Sequence, residues 1–140
     1  MPSQPRTNPV TRGVHHIGLT VPRLDETNHF FKTTLGFEQI GEVPDYPAVF
    51  LSDGAIMLTL WQAENPDTAV AFDRKNVIGL HHFALGVDNH EALDSLYEDL
   101  KTADGVTIEF APEPLGTGSV RHMMTYIPGG IRVEFISPSE

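Results

Sequence analysis

The chain has 140 residues, and its 9 basic and 19 acidic side chains give a formal net charge of −10. That length suffices for one domain with a sizeable core, while the acidic balance argues against nucleic acid and membranes as partners, because both bind basic surfaces. Cysteine is absent, which rules out disulfides and thiolate chemistry and favours a cytoplasmic location, and no apolar run approaches the roughly 20 residues of a membrane-spanning helix.

The chain begins with a polar arm, and a short strand then occurs twice. Residues 1–12 lack the apolar core of a signal peptide and are predicted to form a flexible arm. Residues 14–21 read VHHIGLTV, and residues 80–87 read LHHFALGV. A pair of histidines opens both segments and an alternating tail follows, so the sequence predicts two copies of one structural unit.

Each copy of the strand is followed by a predicted helix. Apolar residues recur at helical spacing in both segments. Gly36 occupies the position of a C-cap after the first helix, and Asp88 or Asn89 precedes the second as an N-cap. The first stripe consists of Leu24, Thr27, Phe31 and Leu35, and the second of Leu93, Leu96, Tyr97 and Leu100.

Each helix gives way to strand-like sequence that contains a hairpin turn. The first hairpin turns at Asp53-Gly54 and the second at Pro128-Gly129-Gly130. Neither half buries much surface alone, so we predict one domain built from two packed modules. The predicted boundaries are the arm at 1–12 and the domain at 13–140, with module one at about 13–62, a linker at about 63–78 and module two at about 79–137.

Strand alternation separates a bulky face from a nearly bare face in both copies. In the first strand, the bulky face begins with His15, and the other face carries only His16, a glycine and a threonine. In the second strand, the bulky face begins with His81, and the other carries His82, an alanine and a glycine. A bare face leaves space for a ligand, so we expect His16 and His82 to face a cavity. His15 and His81 are predicted to be hydrogen-bonded supports or dimer contacts.

The last strand of each module adds side chains to the same face. Alternation places Glu134 on this face in the second module, and superposition of the two hairpins places Thr59 at the equivalent position of the first. Two imidazoles and one carboxylate can hold a divalent metal and leave positions open for water or substrate. The predicted inward set is His16, Thr59, His82 and Glu134.

These motifs resemble the vicinal oxygen chelate superfamily, which includes glyoxalase I, bleomycin-resistance proteins, fosfomycin-resistance thiol transferases, methylmalonyl-CoA epimerases and extradiol dioxygenases. HHIGLTVPRLDETNHFFKTTLGFE at 15–38 is similar to the family's opening, and IPGGIRVEF at 127–135 to its closing turn and ligand glutamate. The resemblance implies an α+β fold in which two paired βαβββ modules form a curved, barrel-like mixed sheet around a central cavity, with the helices outside.

The resemblance also implies a metal site. His16, His82 and Glu134 fall on the family's ligand positions, with Fe, Mn, Ni or Zn as candidate divalent ions. Thr59 falls where several members have a fourth ligand, Glu or Gln. Glyoxalase I-like isomerisation uses a carboxylate on each side of the metal, and a threonine hydroxyl cannot replace one of them as a base. Thr59 therefore argues against that reaction.

A site with one carboxylate resembles instead those of fosfomycin-resistance enzymes and extradiol dioxygenases. The first need a cationic pocket, for which Arg121 and Arg132 are the candidates, although Arg132 is equally an ion-pair partner for Glu134. The second need an acid–base residue, for which His122 and Tyr126 are candidates, since they share one strand face with Met124. The predicted catalytic residues are Glu134, His122 and Tyr126, and the predicted substrate pocket consists of Thr59, Met57, Trp61, Met124, Arg132 and Arg121.

Two functions remain open. One is a metal-dependent lyase, isomerase or dioxygenase that acts on a small oxygenated substrate chelating the metal. The alternative is a metal-free protein of bleomycin-resistance type that binds or sequesters a small molecule. Three retained ligands favour the enzyme. The sheet edges that paired modules leave exposed, together with the resemblance, predict a homodimer whose modules pair within or between chains.

Overall fold

The computed structural model describes residues 4–139, which form two modules with the same order of elements. The first module begins with strand β1 (His16–Val21) and helix α1 (Leu24–His29), which continues as a π-helical segment, Phe30–Thr34. Three more strands complete it: β2 (Glu38–Val43), β3 (Ala48–Ser52) and β4 (Met57–Gln62).

The second module repeats this order after a linker. It starts with β5 (Phe83–Gly86) and helix α2 (His90–Thr102), and Asn89 caps the helix because its side chain accepts a hydrogen bond from the backbone N–H of Ala92 at 2.8 Å. The remaining strands are β6 (Thr107–Pro114), β7 (Arg121–Tyr126) and β8 (Arg132–Ser137).

Each module forms its own four-stranded mixed sheet. The strand orders are β1-β4-β3-β2 and β5-β8-β7-β6, and the first strand of each module pairs in parallel with the last. The other neighbours pair antiparallel across hairpins. The strands β1 and β5 therefore lie at sheet edges, and each has one side without a strand partner inside its sheet.

One face of each sheet packs into a core to which both modules contribute. Leu19 and Val21 are buried on the helix-side face of β1, and Phe83 and Leu85 are buried on the same face of β5. The modules also meet where α1 reaches the turn between β7 and β8, since the buried Thr27 hydroxyl donates a hydrogen bond to the carbonyl of Pro128 at 2.9 Å.

The predicted α+β fold of paired βαβββ modules is confirmed, but the sheets do not close into a barrel. No hydrogen-bonded pairing joins the two sheets within residues 4–139, because β1 and β5 both end their own sheets. The faces that carry Gly18 and Ala84 are exposed rather than lining a closed cavity. The predicted arm and domain boundaries stay predictions, and residues 1–3 and 140 lie outside the described part. The same part contains no helix with the length and hydropathy to cross a membrane.

Candidate functional site

Glu134 on β8 lies between two imidazoles on the open face of the second sheet. Its Oε1 is 3.3 Å from Nε2 of His82, and its Oε2 is 2.5 Å from Nδ1 of His122. Strand order brings these groups together, because His122 is on the neighbouring β7 and His82 directly precedes β5 on the other side of β8. The ring of Phe110 lies edge-on to His122, with 4.9 Å between centroids. The carboxylate is therefore held by an imidazole on each oxygen.

The two histidine pairs make the same contact in both modules. Nδ1 of His15 lies 3.0 Å from Nδ1 of His16, and Nδ1 of His81 lies 2.7 Å from Nδ1 of His82. His15 and His81 are both exposed, so the expectation that they pack on the bulky face is wrong. His15 precedes β1 and His81 precedes β5, and the strand alternation does not extend to them. Their predicted role as hydrogen-bonded supports agrees with these contacts.

Arg132 pairs with Glu109 on β6 and not with Glu134. Its Nε donates to Oε1 of Glu109 at 2.9 Å, and its Nη2 donates to Oε2 at 2.7 Å. These hydrogen bonds from Arg132, helped by one from Tyr126, lower the pKa of Glu109 to about 2 against the opposing effect of burial. The same hydrogen bonds raise the pKa of Arg132. Arg132 is only 5% exposed and is already paired with Glu109, so Glu134 is not its partner, and its role as an anchor for substrate stays a prediction.

The equivalent face of the first sheet is aromatic. The indole N–H of Trp61 donates a hydrogen bond to Oγ1 of Thr59 at 2.9 Å. Thr59 is only 6% exposed, and a Cβ added at Gly18 would lie 3.0 Å from its hydroxyl. The rings of Tyr46 and Phe50 lie 5.1 and 6.1 Å from that of Trp61, measured between centroids. Thr59 therefore lies on the predicted face but beneath Trp61, and its hydroxyl is occupied.

The other predicted pocket residues divide between the two faces. Met124 pairs directly with Glu134 across β7 and β8 and is buried beside it, and Met57 pairs with His16 across β1 and β4. Arg121 instead lies toward α2, because its Nη2 is 3.9 Å from Asp94 and donates to the carbonyl of Pro112 at 3.0 Å. The structure thus separates Arg121 from the site, since adjacent residues of a strand face opposite ways.

Two donors of the second module, one imidazole nitrogen and one carboxylate oxygen, lie at a spacing that a divalent metal accepts. The 3.3 Å between Nε2 of His82 and Oε1 of Glu134 matches the spacing of about 3.0–3.4 Å between neighbouring donors that each lie about 2.1 Å from one ion. His122 on the other oxygen corresponds to the partners that orient ligating carboxylates. His16 does not join them in one chain, and residues 4–139 contain no group of three or more histidine and acidic side chains arranged to hold a metal.

Two parts of this surface were not predicted from the sequence. Glu109 was not singled out, because it lies at an irregularity in the pairing of β6 with β7, where alternation gives no guide to its partner. Tyr46 and Phe50 were also missed, although an aromatic residue paired in register with Thr59, as Phe50 is, was a usable signal. A cleft of about 530 Å³ lies elsewhere, between β1 and the linker, and its lining does not include Glu134.

Comparison with solved structures identifies the same fold in several bacterial proteins. A glyoxylase/bleomycin resistance protein/dioxygenase domain from Frankia sp. EAN1pec is 22% identical with a TM-score of 0.77, covering 93% of this chain and 94% of that one. The lactoylglutathione lyase of Agrobacterium tumefaciens is 20% identical with a TM-score of 0.68, covering 93% and 96%. The fosfomycin resistance protein FosX of Listeria monocytogenes is 19% identical with a TM-score of 0.72, also covering 93% and 96%.

Sequence comparison supplies the family. No curated protein matches the sequence. A family model matches residues 13–135, which include both histidine pairs and end one residue after Glu134. The chain therefore belongs to the Glyoxalase/Bleomycin resistance protein/Dioxygenase superfamily.

Proposed function

We propose that the protein is a metal-dependent enzyme that acts on a small substrate through adjacent oxygen atoms. The observation that carries this proposal is the Glu134 carboxylate between His82 and His122, on an open sheet face. A carboxylate and an imidazole at donor spacing are the hard and borderline ligands that Fe, Mn, Ni and Zn accept in proteins. Membership in a superfamily whose name includes glyoxalases and dioxygenases supports the same interpretation.

The third ligand in this proposal is His16 of a second copy. His16 begins β1 at an exposed position and occupies the place in the first module that His82 occupies in the second. Two features favour a partner: the free edges of β1 and β5, and the exposed bare faces beside them. A twofold dimer would oppose the first sheet of one chain to the second sheet of the other and complete two sites at once.

Within such a site, the residues of this chain divide the work of binding and proton transfer. The metal, when bound, supplies a Lewis acid that stabilises negative charge developing on substrate oxygen. His82, Glu134 and His16 would hold that ion. Nδ1 of His122 lies against Oε2 of Glu134, so His122 is placed to hold or return a proton at that nitrogen, beside the carboxylate. Tyr126 donates a hydrogen bond to Glu109, the partner of Arg132, so this proposal gives the proton-transfer role to His122.

Metal analysis of the purified protein is the direct test. Wild type should bind one divalent ion per chain. Glu134→Gln should bind it far more weakly while keeping the circular dichroism spectrum and thermal unfolding of wild type, because the amide is isosteric but neutral. His29→Gln, which removes an exposed histidine from the end of α1, is the matched control and should bind like wild type. Equal binding by wild type and Glu134→Gln would refute the metal site.

A second function is favoured by the aromatic face of the first sheet. Tyr46 is 64% exposed and lies edge-on to Trp61, which is a surface suited to planar apolar ligands. A metal-free binding protein of bleomycin-resistance type would use this surface without His82 or Glu134. Ligand titrations that quench the emission of Trp61 equally in wild type and in Glu134→Gln, with no metal bound to either, would support this function over the enzyme.

A further inference from the structure

We propose that Arg132 is a positioning residue, which acts through His81 to fix the tautomer of His82 so that Nε2 of His82 presents its lone pair beside Glu134. The proposal rests on the metal site of the proposed function for its purpose, but its geometry stands on contacts within one chain. Four side chains take part, and they form one continuous series: Glu109, Arg132, His81 and His82.

Glu109 fixes the orientation of the guanidinium. Its two oxygens accept hydrogen bonds from Nε and Nη2 of Arg132 at 2.9 and 2.7 Å, which holds the planar group in a two-point grip. The remaining nitrogen, Nη1, then lies 3.5 Å from Nδ1 of His81. This distance is long for a hydrogen bond, yet it aims a charged N–H donor at one ring nitrogen of His81.

The direction of the next hydrogen bond follows from donor chemistry. A guanidinium has N–H donors and no acceptor, so the nitrogen that faces it is favoured as the lone-pair nitrogen of His81. That nitrogen also lies 2.7 Å from Nδ1 of His82. Because one of the two must carry the hydrogen, Nδ1 of His82 is the donor. The neutral ring of His82 then has its lone pair at Nε2, which lies 3.3 Å from Oε1 of Glu134.

A metal at Nε2 needs neutral His82 with its hydrogen on Nδ1. The metal-free site disfavours this form. Without Arg132, the ring would gain by placing its hydrogen on Nε2 and donating it to the Glu134 carboxylate. With Arg132, two acceptors face each other across 3.3 Å, an arrangement that a cation between them relieves. The guanidinium thus keeps the lone pair of His82 Nε2 available to a metal. In the metal-free protein, the hydrogen bond from this nitrogen to Glu134 is lost as a result.

The first module provides an internal comparison. His15 and His16 make the same Nδ1 contact, at 3.0 Å. The residue that pairs with His16 is Met57, which corresponds to Arg132 when the hairpins are superposed and has no hydrogen-bond donor. The tautomer of His16 is therefore not fixed in this way, and Arg132→Met makes the second module like the first.

Imidazole nitrogen spectra of the metal-free protein test the proposal directly. At a pH well above the usual histidine value of about 6.5, two-bond ¹H–¹⁵N correlations should show the proton of His82 on Nδ1 in wild type. Arg132→Met should move it to Nε2. Arg74→Met removes the other arginine on Glu109, which acts on His81 through its charge but makes no hydrogen bond to that ring, and this variant should leave the proton on Nδ1. A wild-type proton on Nε2, or no change in Arg132→Met, would overturn the proposal.

Zinc affinity separates this inference from the proposed function. Arg132→Met should weaken Zn²⁺ binding by about 10- to 100-fold, the loss typical of a partner that orients a metal ligand. Glu109→Gln removes the charged partner of the guanidinium but leaves Arg132 in place, so it should cause a smaller loss of Zn²⁺ affinity. In a His81→Phe background Arg132→Met should change affinity by no more than about twofold, and an equal loss in both backgrounds would refute the relay. If wild type fails to bind Zn²⁺ but carries the His82 proton on Nδ1, the proposed metal function is refuted and the tautomer proposal stands.

Discussion

Replacement of Glu109 by glutamine should destabilise the fold, because it removes the charge that pairs with Arg132. The guanidinium belongs to a residue only 5% exposed, and its hydrogen bonds lower the pKa of Glu109 from 4.5 to about 2. That difference corresponds to at most about 3 kcal/mol of folding free energy at neutral pH. Because the Glu109 side chain is 25% exposed, solvent screening reduces the expected loss to about 1–2 kcal/mol.

The stabilisation of the fold by the Glu109 carboxylate weakens as the pH falls. Folding lowers the pKa of this carboxyl, so its stabilisation is fully present above pH 4.5 and is lost as the pH falls towards 2. Urea denaturation of wild type and Glu109→Gln should therefore differ most at neutral pH, and the difference should narrow on acidification below 4.5.

Glu113→Gln provides the control for this experiment. It makes the same charge change on an exposed residue of the same strand, β6, and surface substitutions of this kind change stability by less than about 0.5 kcal/mol. A Glu109→Gln variant as stable as Glu113→Gln at neutral pH would refute this contribution of the ion pair to stability. A difference in stability from wild type that stays constant down to the acid limit of the folded state would refute it as well.

Three further predictions concern assembly, the contact between modules and the aromatic face. Sedimentation at micromolar concentration should show a dimer, since β1 and β5 leave free sheet edges; a monomer would contradict this. Thr27→Val should lower the free energy of unfolding by about 1–3 kcal/mol, because the buried Pro128 carbonyl loses its donor at 2.9 Å; unchanged thermal unfolding would argue against that role. Gly18→Ala should shift the emission of Trp61, the chain's single tryptophan, since the new Cβ would lie 3.6 Å from its Nε1, and an unchanged spectrum would speak against this packing.

Much of the fold could be predicted because the repeat and the strand alternation are local features of the sequence. Leu19 is buried and Gly18 is exposed, as the two-residue period requires. The prediction failed at His15 and His81, which precede the strands and are not bound by that period. Closure of the sheets could not be predicted from local pattern, because it depends on which edges meet across long separations or between copies.

The residues of the candidate site could be predicted from the sequence, but the hydrogen-bond partner of Arg132 could not. His82, His122 and Glu134 meet because parallel and antiparallel pairing bring β5 and β7 to opposite sides of β8. The partner of Arg132 was not predictable, since the pairing of β6 with β7 is irregular beside Glu109 and shifts which side chains face each other. Ion pairs between long side chains depend on such shifts of a single residue.

The Thr59→Glu substitution would supply a fourth ligand only if Trp61 gave way, so its effect on metal binding should differ with and without the indole. In wild type the indole N–H donates a hydrogen bond to the Thr59 hydroxyl at 2.9 Å, and the indole ring covers this hydroxyl. Thr59→Glu alone should leave metal affinity within about threefold of wild type and lower stability, because the new carboxylate is confined under the ring. Thr59→Glu combined with Trp61→Ala should tighten metal binding by about tenfold or more, equivalent to about 1.4 kcal/mol, relative to Trp61→Ala alone.

Calorimetric titration of wild type, the two single variants and the double variant with Ni²⁺ or Zn²⁺ measures this dependence on the indole. Equal tightening by Thr59→Glu with and without Trp61→Ala would mean that the indole does not shield position 59. No tightening in either background would mean that this face does not meet the metal. Glyoxalase turnover with glutathione hemithioacetal draws on a carboxylate on each side of the metal. In the proposed dimer site, Thr59 and its covering indole would lie on one of those sides, so this turnover should be absent or very slow in wild type.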